Sequence, residues 1–215
     1  MEFEAAVKQI SVDLGFDPEV FQWMCDADHI GGYPEKWPMG SCWEVEGKML
    51  YAITRLLRPD TVVELGTYYG CSTAHILQGL YDNGKGILYT VDNGTDPGPE
   101  PQRYNPHLVQ RRMDGVTFAR EWCGRQGHLM VDLVFEDGPH TTEFTRDVLT
   151  YMKQALAPQG IILVHDACHY IVGERVCEGI GQALGEFGKV LAEPSDCGLG
   201  YWGDKRDKYS DPTFA

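Results

Sequence analysis

The chain has 215 residues and a mass of 24.1 kDa, and 18 Lys and Arg against 32 Asp and Glu give a formal net charge of −14. This length predicts one domain with a core large enough to fold without disulfides or metals. Apolar residues at 43% and charged residues at 23% exclude a disordered chain, collagen and a coiled coil. Because a strongly acidic protein is repelled by phosphate backbones and anionic lipids, we expect neither nucleic acid nor a membrane as a partner.

The cysteines and the first residues favour a cytoplasmic location. The seven cysteines contain no C-x-x-C pair, which argues against zinc ribbons and thioredoxin-like sites. Such an odd set in a chain of this size is typical of reduced thiols. The residues after Met1 lack the positive charge and apolar stretch of a signal peptide, and no apolar run approaches the roughly 18 residues of a membrane span.

In chain order, the pattern predicts a mixed N-terminal part followed by alternating helices and strands. Residues 1–40 contain a helix start at Asp17-Pro18 and chain breaks near Gly31-Gly32 and Pro38. Apolar residues at helical spacing predict helices at about 42–57, 71–81, 114–124, 142–156 and 173–184. Apolar, often β-branched runs predict strands at 61–65, 86–92, 129–135, 161–164, 190–192 and 198–202.

This alternation predicts an α/β fold, a doubly wound and mostly parallel sheet of Rossmann-like type with helices on both faces. We expect a single domain over residues 1–215, with an N-terminal helical cap at 1–40, a binding core at 41–202 and a polar tail at 203–215. Ligands of such sheets bind beyond the carboxyl ends of the strands, so candidate site residues are sought there.

The residues after the first predicted strand favour an amino-acid ligand over a dinucleotide. They read Val63-Glu64-Leu65-Gly66-Thr67-Tyr68-Tyr69-Gly70-Cys71-Ser72-Thr73, and Tyr68 stands where a dinucleotide fingerprint has its second glycine. A glycine loop before a helix N-terminus suits a carboxylate, and Glu64 can accept from an ammonium group. Asp92, which ends the second predicted strand, can accept both hydroxyls of a ribose. Each acid alone is also explained by an ordinary turn or helix cap. Together they indicate S-adenosylmethionine (SAM).

Three segments resemble the class I SAM-dependent methyltransferases. Residues 63–73 look like motif I of that class. Residues 135–143, FEDGPHTTE, and 159–167, QGIILVHDA, resemble the strand-four and strand-five signatures of one branch. That branch contains the catechol O-methyltransferase-like enzymes and the macrocin O-methyltransferase and cephalosporin hydroxylase-like group. The resemblance covers about residues 40–202. It implies a seven-stranded sheet of order 3-2-1-4-5-7-6 and methyl transfer from SAM to a small-molecule hydroxyl, of a sugar or a phenol.

The same resemblance implies a set of cofactor-binding residues. Glu64 would bind the methionine ammonium, the loop from Gly66 to Gly70 would surround the methionine, and Asp92 would hold the ribose. Asp114 would lie against the adenine. The full set comprises Glu64, Gly66, Tyr68, Gly70, Ser72, Asp92, Asp114, Gly115 and Asp137.

Two acids, Asp137 and Asp166, are predicted to end adjacent strands. Carboxylates that converge repel each other unless a cation, a proton or a substrate ammonium lies between them, and oxygen ligands favour Mg²⁺ or Ca²⁺. In the resembled branch these positions hold a divalent metal, with Asn or Asp as a third ligand directly after the second Asp. That residue is Ala167 in this chain. We expect Mg²⁺ or another divalent cation at Asp137 and Asp166. In the alternative, Asp166 caps the next segment and Asp137 contacts only cofactor or substrate.

His140 is the first choice for the base that deprotonates the acceptor hydroxyl, because imidazole titrates near neutral pH. The predicted catalytic set is therefore His140 and Asp137, with His165 and His169 as alternative bases. The expected partner is a small-molecule acceptor, and a homodimer stays open. Aromatic residues that are candidates for the acceptor pocket are Tyr33, Trp37, Trp43, Tyr69 and Tyr104. Two rival functions remain: a SAM-binding protein without catalysis, and an oxidoreductase that uses NAD.

Overall fold

The computed structural model describes residues 1–26, 41–94, 102–125 and 129–203. Helices and strands alternate through the core, as the sequence predicts. The helices are α1 (Phe3–Leu14), α2 (Pro18–Asp26), α3 (Glu44–Leu57), α4 (Cys71–Asn83), α5 (Gly115–Gly124), α6 (Thr142–Ala155) and α7 (Gly173–Leu184). The strands are β1 (Thr61–Leu65), β2 (Ile87–Asp92), β3 (Leu108–Arg112), β4 (Val131–Glu136), β5 (Leu156–Val164), β6 (Gly188–Val190) and β7 (Leu199–Gly203). A 3₁₀ turn, Gln102–His107, precedes β3.

The seven strands form one sheet in the order β3-β2-β1-β4-β5-β7-β6, which confirms the predicted architecture and strand order. The five strands β1 to β5 are parallel, and β7 runs antiparallel to both of its neighbours. Leu65 pairs with Val91 on one side and with Glu136 on the other, and Glu136 pairs with Val164. The carboxyl ends of the central strands therefore end at one level.

Alternating side chains of the central strands divide the core into two layers. Val62, with its neighbours Leu133 and Ile161, packs with the helices α1 to α4. Val63 and Val134 on the opposite face pack with α5, α6 and α7. The N-terminal helices α1 and α2 form the predicted helical cap, although the pattern had shown only the start of α2. None of the described helices is long and apolar enough to cross a membrane.

Two local differences from the prediction have physical causes. The sequence pattern did not predict the edge strand β3. This strand is half-buried or exposed along its length and ends in Gln-Arg-Arg, so it lacks the apolar run of a buried strand. Strand β5 begins at Leu156, because Leu156 pairs with Val131 ahead of a register irregularity in β4. The predicted break at 157–160 thus lies within the strand. The tail from 204 and the whole segment 27–40 lie outside the described residues.

Candidate active site

A cavity of about 320 Å³ opens beyond the carboxyl ends of β1, β2 and β4. It lies where the strand order reverses, which is where ligands bind in doubly wound sheets. Seven predicted site residues line it, namely Gly66, Tyr68, Asp92, Asp114, Gly115, Asp137 and His140. Sequence reasoning missed six further lining residues, Val91, Asn93, Met113, Gly138, Pro139 and Phe144. Glu64, Gly70, Ser72 and Asp166 are not among the lining residues.

The loop after β1 makes one wall of the cavity and has an unusual backbone. Gly66 has φ +102° and Gly70 has φ +86°, both in the region that favours glycine, and Tyr68 between them has φ +47°. A Cβ at Gly66 would overlap the carbonyl oxygen of Asp137 and lie 2.6 Å from its carbon. Glycine at 66 is therefore required by the close approach of two loops that both border the cavity.

Asp92 holds this loop in place through backbone hydrogen bonds. Its Oδ2 accepts from the backbone N–H of Thr67 at 3.1 Å and of Tyr68 at 3.0 Å. Its Oδ1 accepts from the N–H of Gly94 at 2.8 Å. Asp92 is therefore a half-buried carboxylate that both lines the cavity and orders the glycine loop.

Glu64 lies beneath the cavity rather than in its wall. The side chain is fully buried and accepts from the hydroxyls of Ser72 at 2.7 Å, Thr73 at 2.6 Å and Thr90 at 2.6 Å. Burial raises the pKa of Glu64 to about 7, against the lowering effect of the three hydroxyls. The carboxyl ties the first turn of α4 to β1 and β2, so any contact with an ammonium group would compete with these hydroxyls.

Asp114 and Gly115 begin α5 at the far wall of the cavity. Asp114 is the N-cap of that helix, and its Oδ1 accepts from the N–H of Thr117 at 2.8 Å. A Cβ at Gly115 would lie 2.9 Å from the ring of Phe144. The ring of Phe144 therefore packs directly against the backbone at the start of α5.

At the ends of β4 and β5, two carboxylates and two imidazoles converge. His165 Nδ1 lies 3.2 Å from Asp137 Oδ1 and 3.3 Å from Asp166 Oδ1. His140 Nε2 lies 3.1 Å from Asp166 Oδ2 and 3.8 Å from Asp137 Oδ1. His140 and Asp166 both have positive φ, +52° and +58°, so each strand end turns sharply to bring these side chains together.

Glu46 on α3, which sequence reasoning did not single out, completes this cluster. It is 1% exposed, and its Oε2 lies 3.0 Å from His165 Nε2. The other contacts come from the Trp43 N–H at 3.2 Å, the Ser195 hydroxyl at 2.7 Å and the Gly198 N–H at 2.8 Å. Glu46 thereby joins the start of α3 to the end of β5 and to the segment before β7.

The cluster fixes the charges of its buried members. Burial alone would lower the pKa of His165, but Asp137 and Glu46 raise it well above its usual value. Burial would raise the pKa values of Glu46 and Asp137, yet His165 lowers both below their usual range. Asp137 and Glu46 therefore favour the imidazolium form of His165, which argues against His165 as the base.

The donor set does not fit the divalent cation site that the resemblance implies. The side chain of Ala167 supplies no oxygen, and imidazole nitrogens already lie against both carboxylates. Among the described residues, the three-donor groups close enough to share one ion are Glu46–His165–Cys197 and His169–Asp196–Cys197. Neither includes Asp137 or Asp166, so the cation at these two residues stays a prediction.

The candidate pocket aromatics divide into three kinds. Tyr104 is fully buried, and its hydroxyl donates to Gln78 at 2.6 Å, so it belongs to the core. Trp43 and Tyr69 are 43% exposed and are not among the lining residues of the cavity. Tyr33 and Trp37 lie outside the described residues.

Comparison with known proteins agrees with this geometry. Residues 63–167 match the model of a family described as "Methyltransferase domain". A comparison with curated protein sequences gives no match. The O-methyltransferase TomG from Streptomyces achromogenes, solved with SAM, is similar with a TM-score of 0.57 and 14% identity over 94% of this chain and 88% of that chain.

Two further solved structures show the same fold. The O-methyltransferase from Bacillus cereus, solved with SAH, has a TM-score of 0.58 and 14% identity, and the match covers 94% of this chain and 100% of that one. CalS11, a TDP-rhamnose 3′-O-methyltransferase of calicheamicin biosynthesis, has a TM-score of 0.58 and 15% identity over 74% of this chain and 80% of that one. Residues 63–167, which contain motif I and both strand-end signatures, therefore match a methyltransferase domain, and the chain has the fold of these solved O-methyltransferases.

Proposed function

We propose that this protein transfers the methyl group of SAM to a hydroxyl of a small molecule, a sugar or a phenol. The observation that carries the proposal is the cavity that joins the glycine loop, Asp92 and His140 at the strand ends. Its volume of about 320 Å³ is at the lower end of the range for small-molecule sites. TomG and CalS11 are O-methyltransferases, and CalS11 acts on a sugar, which supports the acceptor class.

The residues of this chain fit SAM in three places. The glycine loop from Gly66 to Gly70 borders the cavity through Gly66 and Tyr68 and would surround the methionine portion. Asp92 would accept from the ribose, and Asp114 and Gly115 would border the adenine. When bound, SAM supplies a sulfonium methyl group open to in-line displacement. The protein supplies orientation and proton removal.

His140 is the residue proposed to remove the proton of the acceptor. Its Nε2 lies 3.1 Å from Asp166 Oδ2, so this nitrogen is oriented by the carboxylate. Nδ1 is then the nitrogen left to take the hydroxyl proton, and Asp166 stabilises the imidazolium that forms. Asp137 and Glu46 favour the imidazolium form of His165, the alternative base. His169 Nδ1 accepts from the N–H of Ile171 at 3.2 Å, which leaves it oriented by its own turn.

Isothermal titration calorimetry with SAM, SAH and NAD tests the cofactor. We expect SAH to bind at micromolar or lower Kd with no NAD signal. If neither SAM nor SAH binds, with or without Mg²⁺, the proposal is wrong. If SAH binds and no hydroxyl in a panel of sugars and phenols is methylated, the SAM-binding protein without catalysis is the correct reading.

The divalent cation has its own test. If Asp137 and Asp166 hold a catalytic ion, EDTA abolishes turnover of the wild-type enzyme and Mg²⁺ restores it. If EDTA sensitivity survives in Asp166→Ala, the ion is bound elsewhere.

We also infer a cytoplasmic protein, since the described cysteines are all free thiols. Light scattering of the purified chain decides between a monomer and a homodimer.

A further inference from the structure

Two buried cysteines, Cys42 and Cys71, lie in sulfur contact beside the candidate active site. Their Sγ atoms are 3.1 Å apart although the residues are 29 positions apart in sequence. Cys42 is 6% exposed and Cys71 is 4% exposed. Cys71 is the first residue of α4, directly after Gly70 of the glycine loop, and Cys42 lies two residues before α3. The methyltransferase proposal uses neither thiol.

The contact is built into the packing of two parallel helices. In their first turns the two helices are in close contact, because a Cβ at Gly47 of α3 would overlap the ring of His75 on α4. One turn further on, the Tyr51 hydroxyl donates to Asp82 at 2.8 Å. Near the helix ends, the Asn83 amide donates to the Thr54 carbonyl at 2.9 Å. Contacts along the whole length of α3 thus hold the two sulfurs at the same end of the pair.

We propose that Cys42 and Cys71 are a redox modification site, in which a peroxide converts the two thiols to a reversible disulfide that joins the start of α3 to the start of α4. A disulfide bond is about 2.05 Å long, so the sulfurs need to approach by about 1 Å. Rotation of the two short side chains supplies this movement. This inference does not depend on the methyl-transfer proposal.

The hydrogen bond between the thiols sets the order of the steps. The Cys42 thiol donates to Cys71 Sγ, and this bond together with burial raises the pKa of Cys42 well above the usual thiol value. Cys71 is therefore the sulfur that attacks. Its thiolate displaces one oxygen of hydrogen peroxide, which leaves as water after taking a proton, and Cys71 becomes a sulfenic acid. Cys42 then attacks that sulfur and releases a second water. Two thiols lose two electrons, and one peroxide becomes two waters.

The bridge would close a loop of about 30 residues that contains β1 and the whole glycine loop. Cross-linking a loop of this length restricts the unfolded chain, so oxidation should raise the thermal midpoint by about 5–10 °C. Dithiothreitol should reverse the shift. Because the bridge ends at Cys71, it would also fix the loop boundary on which the cavity wall depends.

Peptide mapping tests the site directly. The full chain is treated with a small excess of hydrogen peroxide, alkylated, digested without reduction and analysed by mass spectrometry. We expect most molecules to contain a peptide pair joined through Cys42 and Cys71. Cys42→Ser and Cys71→Ser should each lose this pair and the rise in thermal midpoint. Cys25→Ser is the matched control, since Cys25 is fully buried and contacts the Lys48 carbonyl instead. It should keep both the pair and the rise.

Three results overturn the inference. The first is that Cys42 and Cys71 can still be alkylated after the peroxide-treated protein is unfolded, which would show that their thiols were not oxidised. The second is a disulfide that forms mainly between other cysteines. The third is a Cys42–Cys71 disulfide that leaves the thermal midpoint unchanged. Peptide mapping of the wild-type chain needs no substitution, so it tests the disulfide even if a cysteine variant fails to fold. Because it measures a covalent bond, its result is also independent of whether SAM binds.

Discussion

Replacing Gly66 with alanine tests whether the close approach of two loops shapes the cavity. Gly66 has φ +102°, and an added Cβ would overlap the Asp137 carbonyl oxygen. Neither backbone can withdraw freely. The Gly66 N–H donates to the Val91 carbonyl at 2.9 Å, and the Asp137 N–H donates to the Leu65 carbonyl at 2.8 Å. Relief of the overlap therefore requires at least one of these hydrogen bonds to lengthen or break.

The expected cost has two parts. Positive φ at a residue with a Cβ costs about 1–2 kcal/mol. Loss of a buried backbone hydrogen bond adds about 1–2 kcal/mol. Gly66→Ala should therefore lose about 2–4 kcal/mol, or about 4–16 °C in thermal midpoint for a chain of this length. Gly84→Ala is the matched control. Gly84 has φ +67°, and an added Cβ there meets no atom within 4 Å. Only the first part applies at Gly84.

Thermal melts of both variants, followed by SAH calorimetry at a temperature where both are folded, provide the assay. Gly66→Ala should melt well below Gly84→Ala and bind SAH more than tenfold more weakly than wild type, because the loop wall has moved. Gly84 caps the far end of α4, so its variant should bind SAH normally. Equal melting of the two variants, or wild-type SAH affinity in Gly66→Ala, would refute the argument from loop contact.

Three other predictions concern single acids and the proposed base. Asp92→Ala should weaken SAH binding at least tenfold, since the carboxylate orders the loop through Thr67 and Tyr68; unchanged affinity in calorimetry removes Asp92 from the site. Burial raises the pKa of Glu136 from 4.5 to about 8, so its contribution to stability is full below pH 4.5 and is lost as the pH rises through about 8. Glu136→Gln should therefore flatten the fall in thermal midpoint between about pH 5 and pH 8, and an unaltered pH profile contradicts this. His140→Gln should lower kcat about 100-fold or more while the Kd for SAH changes less than about threefold. Steady-state kinetics with an acceptor that the wild-type protein methylates measures this, and an unchanged kcat would show that His140 is not the base.

The sequence predicts the elements whose signals are local. Strand β1 is a β-branched run bounded by Pro59 and Gly66, and its predicted limits match the structure. Helix α7 also matches at both ends. In each case the residues that start and stop the element are adjacent to it, so no distant contact is needed to place it. The order of strands followed from the resemblance, because periodicity alone does not say which strands are neighbours.

The sequence does not predict contacts between distant residues. Glu46 lies in an ordinary amphipathic helix, yet its carboxylate meets His165, 119 positions away, and Ser195, 149 positions away. The one available signal was a carboxylate on the apolar side of α3. The contacts of Glu64 were not predicted either. Its place at a strand end suggested an open acceptor, whereas three hydroxyls from α4 and β2 enclose it.

These contacts change what the net charge of −14 means for the site. Of the acids that end the central strands, Asp92, Asp114 and Asp137 line the cavity. Glu64 is enclosed by hydroxyl donors, and Asp166 is paired with His140. The acidic edge is therefore divided, with some carboxylates hydrogen-bonded to side chains inside the protein and others lining the cavity. A cationic sulfonium would be attracted by the second group, while the first group keeps the loop and the proposed base in position.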